Sequence, residues 1–235
     1  MQRLLPKKNS EAASRPKATR ADDAYHILRA DILRGTLAPG QKLKFDIMQT
    51  ELGYSASPLR EALTRLTSDG LVVSEHHRGF TVSEISSEEL QDICRMRCLL
   101  EPVALKDAIE NGDDAWEANI LAAFHRLSKI EESAGTGPNI PDNNWAHWHR
   151  TFHDSLVAAC PSIKLGQIRQ SLFEQSERYR FLSAARRKTK RDKLKEHKKL
   201  MDAVLERDAK KAGRLMEKHI HLTADHLIAA LNKES

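Results

Sequence analysis

The chain has 235 residues, 40% of them apolar and 30% charged, with a formal net charge of +5; this composition excludes a disordered chain and suits, without proving, a polyanionic partner. No apolar run approaches the roughly eighteen residues of a membrane span, and the basic, polar start offers no secretion signal, so a folded cytoplasmic protein of two unequal domains is expected. Cys94, Cys98 and Cys160 are an odd number without a CxxC pair, which argues for reduced thiols against a disulfide frame or thiolate zinc site.

Residues 1–20 hold Arg3, Lys7, Lys8, Arg15, Lys17 and Arg20 against one acid and read as a flexible basic tail. From Ala21 to Arg34, Ala24, Ile27, Leu28 and Ile32 recur at helical spacing, and Gly35 stands where a helix end wants positive φ. Pro39-Gly40 makes a turn, and a second short helix over Asp46–Glu51 stops at Leu52-Gly53. Ser57-Pro58 reads as an N-cap and first-turn proline opening a third helix, with Leu59, Leu63 and Leu66 on one face and Arg60, Thr64 and Thr67 on another.

After Asp69-Gly70 the period changes. Leu71-Val72-Val73 and Phe80-Thr81-Val82 are β-prone runs around His76-His77-Arg78-Gly79, a hairpin with a basic tip. Three helices and a hairpin make a winged helix-turn-helix over residues 21–85. From Ser86, which forms a capping box with Glu89, helical periodicity runs to Asn111-Gly112 with a kink expected near Pro102. Helices follow at 114–132, 143–159, 162–184, 189–206 and 208–231, broken by a long loop from Gly135 to Pro141. The fold class is therefore mainly α: a winged helix followed by a six- or seven-helix bundle over residues 86–231.

A helix in the major groove shows base edges the side chains near its N-terminus, which makes Ser55, Ser57 and Arg60 candidates, with Thr64 further along the same exposed face. Solvated helix charges are the alternative for Arg60 and Arg65. In the bundle, His149 and His153 lie four apart, on one helix face, and His197 and His219 fall on the last two helices. Four neutral imidazoles suit zinc or nickel; the spacing alone equally admits ordinary surface or half-buried histidines.

Leu33-Arg34-Gly35-x-Leu37-x-Pro39-Gly40, Leu52-Gly53-Tyr54-Ser55-x-Ser57-Pro58-Leu59-Arg60-Glu61-Ala62-Leu63, Asp69-Gly70-Leu71-Val72 and Arg78-Gly79-Phe80, in that order, resemble the GntR family of regulators. The resemblance implies that Arg34 and Arg60 touch DNA and that His77, Arg78 and Gly79 form a wing approaching the minor groove. Where the family usually places a guanine-reading arginine, this chain has Ala56, which cannot donate to a base.

Leu99-Leu100-Glu101-Pro102, Phe152-His153, Glu196-His197-x-x-Leu200 and the run from Asp208 through Ala212 and Met216 to His219 resemble the FCD effector domain of the FadR-type branch. Gly112-Asp113, Trp116-Glu117-Ala118, Leu127-Ser128-Lys129 and Arg178-Tyr179-Arg180-Phe181 resemble the CsiR-like, carbon-starvation-regulator subgroup. These resemblances imply a divalent metal held by His149, His153, His197 and His219, His149 standing where many members have Asp. They also imply a carboxylate effector anchored by Arg97, unless that arginine pairs with a bundle glutamate, with Arg178 and Arg180 as further candidates. His147, His221, His226, Trp145 and Trp148 read as packing or surface residues.

The expected protein is thus a homodimeric repressor that binds a pseudo-palindromic double-stranded operator and is released by a small dicarboxylate such as glutarate, with no membrane partner. A metal-responsive regulator and a helical metalloenzyme are the alternatives.

Overall fold

A computed structural model describes residues 19–75, 79–134, 143–186 and 191–231. Helix α1 (Arg20–Arg34) begins one residue before the expected start because Thr19 caps it: the Thr19 hydroxyl accepts from the Asp22 N–H, and the Asp22 carboxylate accepts from the Thr19 N–H. Gly35 closes it in the left-handed region at φ 78°. Helix α2 (Phe45–Leu52) ends the same way on Gly53.

Helix α3 (Ala56–Ser68) has Ser55 at its N-cap position, two residues ahead of the expected cap and without a side-chain capping hydrogen bond. Ser57 and Pro58 therefore lie within the first turn, where a proline's missing N–H costs nothing because those donors have no intrahelical acceptor. Strands β1 (Lys42–Leu43), β2 (Val72–Glu75) and β3 (Gly79–Val82) form an antiparallel sheet in the order β1-β3-β2. Strand β1 was not expected, since two residues are too few to show alternation. The hairpin tip at His76, His77 and Arg78 lies outside the described residues, as do residues 1–18 of the basic tail and the loop from Gly135 to Pro141.

Six further helices follow among the described residues: α4 (Ser87–Asn111), α5 (Asp114–Ala134), α6 (Asn143–Leu156), α7 (Ile163–Arg186), α8 (Lys193–Leu205) and α9 (Ala209–Leu231). Helix α4 runs through Pro102, and α9 packs along it with Gly213 facing that proline, where a β-carbon would stand 3.2 Å from Pro102 Cβ. The capping box at its start is half formed. Ser86 Oγ accepts from the Glu89 N–H, but the Glu89 carboxylate turns instead to Arg178 and Tyr179.

Two cores result. Leu28, Ile32, Leu59, Leu63, Leu66, Phe80 and Val82 pack between the first three helices and the sheet; Leu105, Ile120, Leu127, Phe152, Leu200, Val204 and Met216 fill the bundle. Helix α7 serves both, because Phe181, only 3% exposed, belongs to the N-terminal core while Tyr179 belongs to the bundle core. Alongside it, Arg29 of α1 pairs with Glu177, and Arg178 donates to the Ser83 carbonyl. The N-terminal unit and the bundle are therefore joined along one helix.

Candidate functional site

On α3 the apolar period does the positioning. Leu59, Ala62, Leu63 and Leu66 are buried, which turns Ser57, Arg60 and Thr64 outward, with Ser55 exposed just ahead of the helix. Arg60 stacks 5.1 Å above the Phe45 ring, an arrangement that keeps the guanidinium extended along the surface. Thr64 donates its hydroxyl proton to the Arg60 carbonyl at 2.8 Å, so one of its polar options is already committed to its own helix. Arg34 is exposed in the last turn of α1, and exposed Gly79 opens β3 at φ 90°, a left-handed conformation that disfavours a side chain. His77 and Arg78 fall outside the described residues.

In the bundle, α6 supplies His149 and His153, α8 supplies His197 and α9 supplies His219. Each offers one ring nitrogen, and these nitrogens lie within 4.8 Å of one another. Two of the rings are held from behind as metal-binding imidazoles commonly are: His197 Nδ1 meets the Glu131 carboxylate at 3.1 Å, and His219 Nδ1 meets that of Glu196 at 3.0 Å, while His153 Nδ1 is buried without a hydrogen-bond partner. Glu131 also accepts from Trp145 Nε1, and Arg191 donates to Glu196. Burial, the largest cause in each case, holds His149, His153 and His219 well below the ordinary imidazole value, so they stay neutral and able to ligate. The Nε2 atom of His197 is buried without a hydrogen-bond partner. That orphaned donor atom, the carboxylate-oriented rings and the all-nitrogen set together fit a borderline divalent ion such as zinc or nickel.

His149 is distinctive. Its ring stacks on Trp145, and Arg180 Nη1 lies 2.7 Å from its Nδ1. A guanidinium only donates, so Nδ1 accepts and the neutral ring carries its proton on Nε2, which faces His153 Nε2 at 3.2 Å. Ligation through Nε2 would require Arg180 to release this ring.

Two clefts flank the histidines. One is lined by Arg97, His149, His153, Ser176, Arg180 and His219 among others. The other shares Arg180 and adds Arg191, Lys193 and Ser183. Arg97 makes the bundle-glutamate pairing considered for it, donating to Glu101 at 3.2 Å and to Ser176 Oγ at 3.0 Å, and also lines the first of these clefts. Arg180 is central, in the walls of both clefts. Arg178 lines neither; it spends its guanidinium on the Ser83 carbonyl, Glu89 and Tyr179 at the junction between the two cores. Sequence reasoning did not single out Glu131, Glu196 or Arg191, although Glu196 immediately precedes His197 in the quoted motif.

Residues 20–82 match the bacterial regulatory proteins of the gntR family, and residues 92–222 match the FCD domain. The chain belongs to the GntR family. This GntR regulator is 36% identical to the HTH-type transcriptional regulator BphR of Paraburkholderia xenovorans over 83% of its own length and 80% of that protein's. It is also 36% identical to the HTH-type transcriptional repressor GlaR of Escherichia coli, over 84% of its own length and 91% of the repressor's. Its fold matches E. coli McbR/YncC with a TM-score of 0.68 at 21% identity, covering 87% of this chain and 97% of that one. A GntR regulator from Rhodococcus sp. RHA1 matches with the same score, 0.68, at 20% identity, covering 90% and 98%. This GntR chain is a DNA-binding transcriptional regulator built from a winged helix and an all-α FCD domain. Its family and relatives are regulators, which sets aside the metalloenzyme alternative. No helix among the described residues is long and apolar enough to cross a membrane.

Proposed function

We propose that this regulator is a cytoplasmic, homodimeric repressor of a carboxylate-catabolism operon, released from a pseudo-palindromic operator by a small dicarboxylate such as glutarate. The observation that carries the reading is the convergence of His149, His153, His197 and His219 beside a cleft walled by two arginines, Arg97 and Arg180. When bound, a divalent ion there would supply positive charge for one carboxylate of the effector. Arg97 offers a charge-assisted fork for the other, and Arg180 a second. Two anchors favour diacids over monoacids.

The DNA-reading role falls to Arg34, Ser55, Ser57, Arg60, Thr64 and the wing at His77, Arg78 and Gly79, on a unit spanning residues 21–85. Residues 86–231 form the effector and dimerisation domain, and residues 1–20 a basic tail. Exposed Met96, Leu99 and Val103 form an apolar stripe along one face of α4, which supports pairing of two copies through the bundle.

Elemental analysis of protein purified without chelator, followed by titration of glutarate and its homologues into a complex with an operator selected from random duplexes, tests the reading. Metal near one ion per chain and a diacid-dependent loss of operator affinity are expected. A metal effect with no diacid effect would instead assign the ion itself as the signal.

A further inference from the structure

The bundle and the DNA-reading unit share one buried carboxylate. Glu177 on α7 is 2% exposed, and its two oxygens are claimed from opposite directions. Arg29 of α1 pairs with Oε2. Arg180, one turn along α7, reaches Oε1 with Nη2 at 3.3 Å while its Nη1 points at His149. Arg180 also walls both clefts, and its Nε is buried without a partner. An unbroken chain of polar contacts therefore runs from the histidine cluster through Arg180 and Glu177 to the first helix of the winged unit.

We propose that Arg29, Glu177 and Arg180 form the relay by which occupancy of the effector cleft sets the docking of the DNA-reading unit. This rests on the reading that a carboxylate binds beside the histidines. The bistable element is the Arg180 guanidinium, which, once an ion holds His149, has Glu177 and an incoming carboxylate as competing acceptors. A buried glutamate must be neutralised by nearby cations. With the cleft empty, Arg180 and Arg29 share that task. A ligand carboxylate that takes Arg180 draws positive charge from Glu177, which then leans more on Arg29, with Arg150 acting on it only at longer range, and the α1–α7 contact strengthens. The effector thus favours the state in which the winged unit is locked against the bundle, and operator binding weakens to the extent that DNA requires the unit to reorient. Phe181, anchored one turn away in the N-terminal core, makes α7 the rigid member on which this contact acts.

Arg29 and Glu177 are positioning residues, and their test separates binding from transmission. Zinc-loaded wild type, Arg29→Gln, Arg29→Lys and Glu177→Gln would be compared in three measurements. These are glutarate affinity by calorimetry without DNA, operator affinity by fluorescence anisotropy with and without saturating glutarate, and amide hydrogen exchange along α1. In wild type, glutarate should lower operator affinity by about 5-fold or more, the lower range of common allosteric couplings, and slow exchange in α1. Arg29→Gln and Glu177→Gln should still bind glutarate, yet lose the operator response and the slowing, while Arg29→Lys, which keeps the charge, restores part of both. A full response in Arg29→Gln, or α1 exchange indifferent to glutarate in wild type, would overturn the relay while leaving the effector reading intact. Failure of wild type to bind any small diacid would overturn both.

Discussion

At the scale of single residues, the burial of the imidazoles decides most of the chemistry. Replacing His153 and His197 together by Ala should abolish metal binding, since two remaining imidazoles rarely retain an ion; elemental analysis of the variant checks this, and a retained ion would refute the assignment. The same burial has a pH signature. His149, His153 and His219 take up protons less readily folded than unfolded, so their contribution is complete above the unfolded value of about 6.5 and is lost as pH falls below it. Each can cost up to about 1.4 kcal/mol per pH unit over that range. Thermal melts of metal-free protein between pH 7 and pH 5 should show a steep decline, flattened when His149 and His153 are replaced by Phe. On the DNA face, Arg60→Ala should weaken operator binding by about 1–3 kcal/mol without changing the melting of the bundle. Unchanged affinity in gel shifts at fixed salt would remove Arg60 from the interface.

At the scale of elements, the junction of α4 and α5 turns on Gly112. A β-carbon there would come within 2.0 Å of the Trp116 ring, which is itself fixed by donating Nε1–H to the Ser155 carbonyl at 2.8 Å. Gly112→Ala should therefore destabilise the bundle by about 1–3 kcal/mol through overpacking, measured by chemical denaturation; a neutral outcome would show that α5 can shift freely. Helix α7 has the larger consequence. Its expected span of 162–184 is close to the observed Ile163–Arg186, but periodicity does not reveal that Phe181 serves one core while Tyr179, two residues earlier, serves the other. The capping box at Ser86 was legible only by half, because the Glu89 carboxylate finds Arg178 and Tyr179, almost ninety residues away, more favourable than the backbone three residues back.

At the scale of the whole molecule, the proposed effector sensing requires the bundle and the winged unit to respond as one body. Arg97→Ala should reduce the glutarate-dependent change in operator affinity relative to wild type, because one of the two anchors is lost and a ligand shifts an equilibrium only by its differential affinity; an unaltered response would leave Arg97 as a partner of Glu101 and Ser176 alone. Much of this architecture was readable from the chain itself. Local rules suffice where the signal lies within one or two turns: Gly35 and Gly53 at helix ends, the alternation around Phe80, the leucine face of α3, and the four-residue spacing of His149 and His153. The ordered motifs added the family and the pairing of those two histidines with His197 and His219. Folding alone decided the rest, because those contacts join residues far apart in sequence. It brought Glu131 behind His197 across 66 positions, set Arg180 against His149, drew Arg178 away to the Ser83 carbonyl, and placed Glu177 between Arg180 and Arg29 across 148. No local pattern encodes such pairings; they exist only once burial forces each charged group to find a partner on a neighbouring element.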